Sequence, residues 1–279
     1  MSGSRGCYAD CNFCCINSWH RGAVGRRYRR RSPASVAAEM ARLFHDRGVR
    51  IFCFHDDTFL LPRPEDSRRR LAALREELLR RDVGLVAVVA KCRPDQLERA
   101  LLEEARALGT VRFYIGVENG SAAGVRHLNR GHSVADSHRA LELCAACGIY
   151  TCYNLLLFEP DAALEDVADN LAFAERHLDV PFNFGRAEVY TGSSYERLLR
   201  ASGRLRGAFP SFSYVIADER AEMLFRILAV AFTVRNFASD SLANLNSASG
   251  YEAALLGHFY PGSAAADLPA RAAALKGRV

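Results

Sequence analysis

The amino-acid sequence predicts an α/β protein built on a partial, TIM-like barrel of six strand–helix units, with a C-terminal helical extension. Apolar runs of strand length alternate with amphipathic helical segments over the first 200 residues, and this alternation stops near Gly203. Regular alternation of strands and helices favours parallel strands joined by right-handed crossovers. We therefore expect the barrel over residues 1–200 and a mostly helical extension over residues 201–279.

Each element of the predicted barrel has a local signal. The strands are expected at residues 1–6, 50–55, 84–90, 111–117, 149–158 and 182–190, and the helices at residues 33–47, 65–82, 94–108, 134–147 and 164–177. Ser32 and Pro33 open the first helix, and Gly48 closes it. The continuous apolar run at 84–90 is typical of a strand buried on both faces. In the extension, one long helix is expected at 218–237.

Composition indicates a globular, cytoplasmic protein. The 279 residues are 49% hydrophobic and 25% charged, with a formal net charge of +5. The sequence contains neither an apolar run of about eighteen residues nor a signal-peptide pattern, so no membrane partner is expected. Nine cysteines in such a chain favour metal binding or catalysis over disulfides. We interpret the Arg-rich run at 26–31 as a solvated loop, so nucleic acid is not an expected partner.

Three cysteines near the start indicate a metal centre. Cys7, Cys11 and Cys14 have the spacing C-x3-C-x2-C, with Phe13 before the last of them. Three thiolates can hold three irons of a four-iron cluster and leave the fourth iron open to a small molecule. A structural zinc site that uses Cys15 is the alternative, but zinc usually takes its ligands from two separated pairs. That alternative would make the chain a zinc-stabilised, Arg-rich nucleic-acid-binding module.

The cysteine spacing with Phe13 resembles the radical S-adenosylmethionine (radical SAM) superfamily. Three later motifs resemble members of that family that often carry an N-terminal cobalamin-binding domain. They are Asp-Asp-Thr-Phe at 56–59, Ile-Gly-Val-Glu-Asn-Gly at 115–120 and Asn-Arg-Gly-His at 129–132. The resemblance implies a radical SAM partial barrel, with a 4Fe-4S cluster held by the three cysteines. It also implies that SAM binds the open iron and that one electron converts it to a 5′-deoxyadenosyl radical, which abstracts hydrogen.

Residues at the strand ends are matched to SAM binding by this resemblance. Asp56 and Asp57 stand where the family receives the SAM amino group, although either could simply cap a turn. Arg93 is expected to pair with a carboxylate, or to form a surface ion pair. The remaining cofactor-binding candidates are Phe13, Gly116, Glu118 and Asn154. In the fifth strand, the family's glycine is replaced by Leu157 or Phe158, so the adenine contact must be built differently there.

Three further residues are candidates for catalysis. Lys91, one of only two lysines, is a candidate acid or base at the end of the third strand. Cys152 could donate hydrogen to a substrate radical in an epimerase, and Glu188 could act as the acid or base of a dehydratase. Strand alternation puts Arg186 and Glu188 on one face, where an opposite-charge pair could anchor a polar substrate.

The sequence leaves no room for a cobalamin domain before Cys7, so we expect an enzyme that needs only the radical. The expected substrate is a small polar natural product, sugar-like or an aminocyclitol, in secondary metabolism such as antibiotic biosynthesis. The expected outcome is epimerisation, dehydration or deoxygenation, or oxidation. The alternative is a cobalamin-dependent C-methyltransferase whose cobalamin domain is missing or supplied in trans. An electron donor such as flavodoxin or ferredoxin, or a partner reductase, is expected in either case.

Overall fold

The computed structural model describes residues 1–22, 24–262, 267, 268 and 271. In chain order its elements are β1 (Ser4–Arg5), α1 (Ile16–Gly22), β2 (Arg29–Arg30), α2 (Pro33–Arg47), β3 (Ile51–Cys53), α3 (Pro64–Leu79), β4 (Ala87–Cys92), a 3₁₀ turn (Pro94–Gln96), α4 (Arg99–Ala107), β5 (Thr110–Glu118), α5 (Ala122–His127), α6 (Val134–Ala146), β6 (Tyr150–Phe158), α7 (Leu164–Arg176), β7 (Phe182–Arg186), α8 (Ser194–Ala201), β8 (Leu205–Ala208), β9 (Ser211–Tyr214), α9 (Glu219–Ala231), α10 (Thr233–Phe237) and α11 (Leu242–Phe259). Strands β3 to β7 form one parallel sheet in sequential order. The predicted α/β class, with a parallel sheet and connecting helices, is confirmed.

The first predicted strand is much shorter than expected and does not become a sixth parallel strand. Strand β1 pairs antiparallel with β2, and the chain before it meets the edge of β3, where the Met1 ammonium donates to the Cys53 carbonyl at 2.9 Å. Gly6 then turns the chain with a φ of 81°, and a Cβ at this position would overlap the Arg27 carbonyl oxygen. Because only glycine fits this close approach, the chain turns into the cysteine loop instead of extending the strand.

The two faces of the sheet have different neighbours. On β5, Phe113, Ile115 and Val117 are fully buried in the core beneath the connecting helices. Strand alternation puts Arg112 on the opposite face, where it lies 5.1 Å from the Tyr251 ring of α11. Helix α11 therefore covers this second face near the amino ends of the strands, which leaves the carboxyl ends for the site.

The C-terminal segment differs from its prediction in two places. The expected single helix at 218–237 is two helices, α9 and α10, which meet at Phe232. The aromatic segment at 209–214 contains β9, which pairs with β8 as a hairpin. Asn236 of α10 donates to the Phe184 carbonyl at 3.2 Å, so this segment lies against β7. The division at residue 200 into two domains stays a prediction.

Within the part of the chain that the structure describes, no helix has both the length and the apolar character that crossing a bilayer requires.

Two buried tyrosines allow a test of the core. Tyr153 stacks on Phe182 at 5.4 Å, but among the described residues its hydroxyl has no hydrogen-bond partner. The Tyr214 hydroxyl donates to the Ala187 carbonyl at 2.8 Å. We expect Tyr153→Phe to leave the free energy of unfolding unchanged or slightly raised, and Tyr214→Phe to lower it by about 1 kcal/mol. Urea unfolding measures both variants, and equal losses would contradict this account of the two hydroxyls.

Candidate active site

The three cysteines of the motif lie on the loop between β1 and α1, and all three are at least partly buried. Cys11 is 8% exposed, whereas Cys7 and Cys14 are half-buried, and the Cys14 N–H donates to the Cys11 carbonyl at 3.2 Å. Burial raises the pKa of the Cys7 thiol and raises the pKa of Cys14 to about 11, and the neighbouring thiols add to both shifts. Because ligation requires thiolates, this loop needs positive charge close to it.

Two buried arginines supply positive charge beside Cys11. Arg130 donates from Nη1 to the Cys11 sulfur at 3.0 Å and from Nη2 to the Gly116 carbonyl. Arg93 donates from Nη1 to the same sulfur at 3.8 Å and from Nη2 to the Arg130 carbonyl. Asp95 accepts from Arg93 Nε at 3.0 Å and fixes its guanidinium. This arrangement holds the cysteine loop against the ends of β4 and β5.

Backbone and asparagine hydrogen bonds fasten the same loop to the end of α5. The Asn12 N–H donates to the Leu128 carbonyl at 3.0 Å, and its side chain donates to the His127 carbonyl at 2.8 Å. From the other side, the Asn129 side chain donates to the Asp10 carbonyl at 2.7 Å. Asp10 and Asn12 of the cysteine loop are thus both held by the stretch 127–129.

Two aspartates after β3 hold the chain that leads into the cysteine loop. Asp56 is 1% exposed and accepts from the Gly3 N–H at 2.9 Å and from the Ser4 hydroxyl. Asp57 accepts from the Gly6 N–H at 2.8 Å, immediately before the first cysteine. Of the two predicted SAM-facing carboxylates, Asp57 therefore lies at the loop, whereas the N-terminal segment encloses Asp56.

Gly116 and Glu118 form the carboxyl end of β5 beside Arg130. A Cβ on Gly116 would lie 2.9 Å from Arg130 Nη2 and 3.2 Å from Glu118 Oε1, so glycine leaves the room that this guanidinium needs. Glu118 has a φ of 65°, which turns its side chain out of the regular strand pattern. Burial raises the pKa of its carboxyl group, and the positive charges of Arg130 and Arg93 oppose that rise.

A cavity of about 940 Å³ opens from this end of the sheet. It begins at Phe13 and Glu118, passes Asn154, and ends at β7, β9, α9 and α10. Its aromatic walls are formed by Phe158, Phe184, Phe212, Tyr214, Phe225, Phe232 and Phe237. The predicted residues Phe13, Glu118, Asn154 and Glu188 all line this cavity.

Two of the predicted catalytic residues lie elsewhere. Lys91 is exposed on β4 and does not line the cavity. Cys152 is the third residue of β6, accepts from Arg112 Nη2 at 2.9 Å and does not line the cavity. It therefore lies near the amino end of this strand, whereas the cavity opens at the carboxyl end.

The predicted ion pair between Arg186 and Glu188 is not among the ion pairs of the described residues. The Arg186 guanidinium lies 3.6 Å from the Tyr214 ring centroid and 4.6 Å from that of Phe225. Glu188 instead accepts from the Tyr190 hydroxyl. Strand β7 ends at Arg186, so the alternation that would place both side chains on one face does not continue to Glu188.

Sequence reasoning missed two contributions to the site. Arg130 belongs to the stretch 129–132, which resembles a family motif, but its contact with Cys11 joins residues 119 positions apart. The aromatic wall was also missed, although the aromatic residues at 209–214 and in the helix expected at 218–237 were visible signals. Neither contribution could be assigned without the contacts between distant segments.

The donor set of the cysteine loop, three thiols close together in the chain, fits an iron–sulfur cluster. In the described ranges, no three His, Cys, Asp or Glu side chains converge on a point that one metal ion could occupy. A structural zinc needs four such ligands around one ion, whereas each cysteine of an iron–sulfur cluster binds a different iron. Three separate thiols on one loop, with arginines beside Cys11, are donors of the kind that such a cluster takes.

Comparison with known proteins finds relatives in sequence and in fold. An uncharacterised methyltransferase of Pyrococcus horikoshii is 26% identical over 192 residues, which cover 68% of this chain and 39% of that protein. The cobalamin-dependent SAM radical enzyme OxsB, solved with aqua-cobalamin and SAM bound, gives a TM-score of 0.70 at 16% identity over 97% of this chain and 49% of that one. The radical SAM methyltransferase TsrM from Kitasatospora setae, solved with cobalamin and its 4Fe-4S cluster, gives 0.63 at 19% identity over 100% of this chain and 60% of that one. The chain therefore spans about two-fifths to three-fifths of the length of these relatives.

The sequence profile of the radical SAM superfamily matches residues 1–174, which include the cysteine loop and strands β3 to β6. Members of this family are enzymes that use a 4Fe-4S cluster and SAM, the two cofactors expected from the cysteine motif. The matched stretch is more than half of the 279 residues. The chain belongs to the radical SAM superfamily.

Proposed function

We propose that this enzyme abstracts hydrogen from a small molecule bound in the cavity at the carboxyl end of the sheet. One observation carries the proposal: a single cavity runs from Phe13, on the cysteine loop, to β7 and the C-terminal helices. A substrate bound in this cavity would share it with the part of a cofactor that extends from the cysteine loop. The lining of the cavity also supplies walls that keep water away from a reactive radical.

When bound, the cluster supplies the electron that cleaves SAM to the hydrogen-abstracting radical. We assign Cys7, Cys11 and Cys14 as its ligands, with Arg93 and Arg130 offsetting negative charge at Cys11. Asp57 and Glu118 are the proposed partners of the SAM amino group and ribose hydroxyls, because both carboxylates lie at this end of the site. Gly116, Asn154 and Phe13 are proposed to contact the nucleoside.

The proposed outcomes are epimerisation, dehydration or deoxygenation, and oxidation. Glu188 lines the cavity and is the proposed acid or base. Lys91 and Cys152 can take part only if the substrate reaches beyond the described cavity lining. An electron donor such as flavodoxin or ferredoxin would supply the electron. A sugar-like or aminocyclitol substrate was expected because five charged residues were predicted at the barrel mouth: Asp56, Lys91, Glu118, Arg186 and Glu188. Of these five, Asp56 and Lys91 do not line the cavity.

A second candidate function is methylation with cobalamin. OxsB and TsrM were both solved with cobalamin bound, and this chain covers 49% and 60% of them. In this alternative, the cobalamin-binding domain is missing from these 279 residues or is supplied by another chain.

The first test measures 5′-deoxyadenosine after anaerobic reconstitution with iron and sulfide, with dithionite as reductant and SAM present. The wild-type protein should form it, and Cys11→Ala should abolish it, because the remaining two thiols cannot hold three irons. Cys15→Ala is the matched control, since the adjacent thiol is not a proposed ligand, and it should retain the activity. Loss of product in both variants alike would contradict the ligand assignment.

A second test concerns Gly116. The change Gly116→Ala should weaken SAM binding or slow SAM cleavage by about tenfold, roughly 1.4 kcal/mol, because the new methyl displaces Arg130. Gly22→Ala, at the exposed end of α1 and outside the cavity lining, with nothing within 4 Å of its added Cβ, is the control and should behave as wild type. Titration of SAM against the rate of 5′-deoxyadenosine formation separates the two effects. Unchanged kinetics in Gly116→Ala would contradict the proposed role of Arg130 in SAM binding or cleavage.

The cobalamin alternative has its own test. If the enzyme needs only the radical, hydroxocobalamin added to the reconstituted protein should elute separately from it on gel filtration. The labelled methyl group of SAM should then not be transferred to the corrinoid. Co-elution with methyl transfer would instead favour the methyltransferase.

A further inference from the structure

The Arg186 guanidinium lies at the far end of the cavity and forms no ion pair with a carboxylate of the described residues. Its Nη2 donates to the Tyr214 carbonyl, and in the described part of the chain its Nε is buried with no hydrogen-bond partner. Glu222 interacts with the Arg186 charge through space, but it forms its hydrogen bonds with the Ile216 N–H at 3.0 Å and with Arg226 Nε at 2.9 Å. A guanidinium that is packed between rings and lacks a carboxylate favours binding of a planar anion.

The walls around this cation are aromatic. Besides the Tyr214 and Phe225 rings that contact Arg186, Phe184 and Phe232 meet edge to face at 5.5 Å, and both line the cavity. Rings in such a wall offer broad apolar surface and favour another flat or apolar group. A sugar or an aminocyclitol without a carboxylate would offer the wall no apolar surface and the guanidinium no anion.

Polar groups lie on the adjoining strands. Asn154 of β6 and Asn183 of β7 are register partners and line the same cavity. Among the residues that the structure describes, Asn183 Oδ1 is buried with no hydrogen-bond partner. A buried acceptor without a donor is costly, so a donor group on the ligand would stabilise it.

We infer that the substrate is an amphipathic carboxylate with an aromatic or broad apolar body and a hydrogen-bond donor. Arg186 binds the carboxylate, the rings of β7, β9, α9 and α10 hold the body, and Asn183 accepts from the donor. This inference rests on the proposed function, because it takes the cavity as the substrate site. It also narrows the expected small polar substrate to one with an acidic head and an apolar body.

The test compares three probes on the reconstituted protein with SAM present, by calorimetry. The probes are 2-naphthoate, its uncharged amide 2-naphthamide, and the sugar acid glucuronate. We expect naphthoate to bind at least about tenfold more tightly than either of the others, as a charge-assisted bond to Arg186 and the aromatic wall together require. Arg186→Gln should reduce the preference over the amide to less than about twofold. Arg176→Gln, an exposed arginine outside the cavity, should keep the full preference.

Arg186→Lys serves as a second variant if Arg186→Gln folds poorly, and it should retain part of the preference for the carboxylate because it keeps the charge. Naphthamide binding as tightly as naphthoate, glucuronate binding as tightly as naphthoate, or a full preference in Arg186→Gln would each overturn the inference. None of these measurements needs SAM cleavage. If naphthoate shows no preference but 5′-deoxyadenosine forms normally, only the substrate class is rejected. If the wild-type protein forms no 5′-deoxyadenosine, or if Cys11→Ala still forms it, the proposed function is rejected.

Discussion

The hydrogen bonds of the Arg130 guanidinium join the two parts on which the site depends. One nitrogen donates to the Cys11 sulfur and the other to the Gly116 carbonyl, so the cysteine loop and the end of β5 share one cation. Thiolates in a partly buried loop are unfavourable without such a charge. A Cβ at position 116 would lie 2.9 Å from Arg130 Nη2, so a larger residue there would force the guanidinium to shift. The position of the cysteine loop is therefore set by contacts with the sheet.

The second constraint comes from the C-terminal segment. Helices α9 and α10 and the hairpin β8–β9 close the far side of the cavity, and Asn236 attaches α10 to β7. This segment supplies most of the aromatic wall and the rings beside Arg186. The sheet thus positions the cysteine loop, whereas β9, α9 and α10 shape the far part of the cavity.

How far sequence reasoning reached can be judged from particular residues. Helix α2 occurs at the predicted residues, because the Ser32 cap, Pro33 and Gly48 are all local signals. Phe13, Glu118, Asn154 and Glu188, which the sequence marks as candidate site residues, all line the cavity, and the roles assigned to them stay predictions. The contact of the Arg112 guanidinium with the Cys152 sulfur was not predicted, because it joins residues 40 positions apart on two paired strands. The turn at Gly6 likewise depends on a distant carbonyl.

The sequence by itself determined the α/β class, the alternation of strands and helices, and the family, because periodicity, capping residues and cysteine spacing are local properties of the chain. Only the tertiary structure decided which charges surround Cys11, which carboxylate is enclosed, and which rings contact Arg186. These depend on contacts between segments far apart in the chain, and the burial that determines their strength exists only after those segments have packed together.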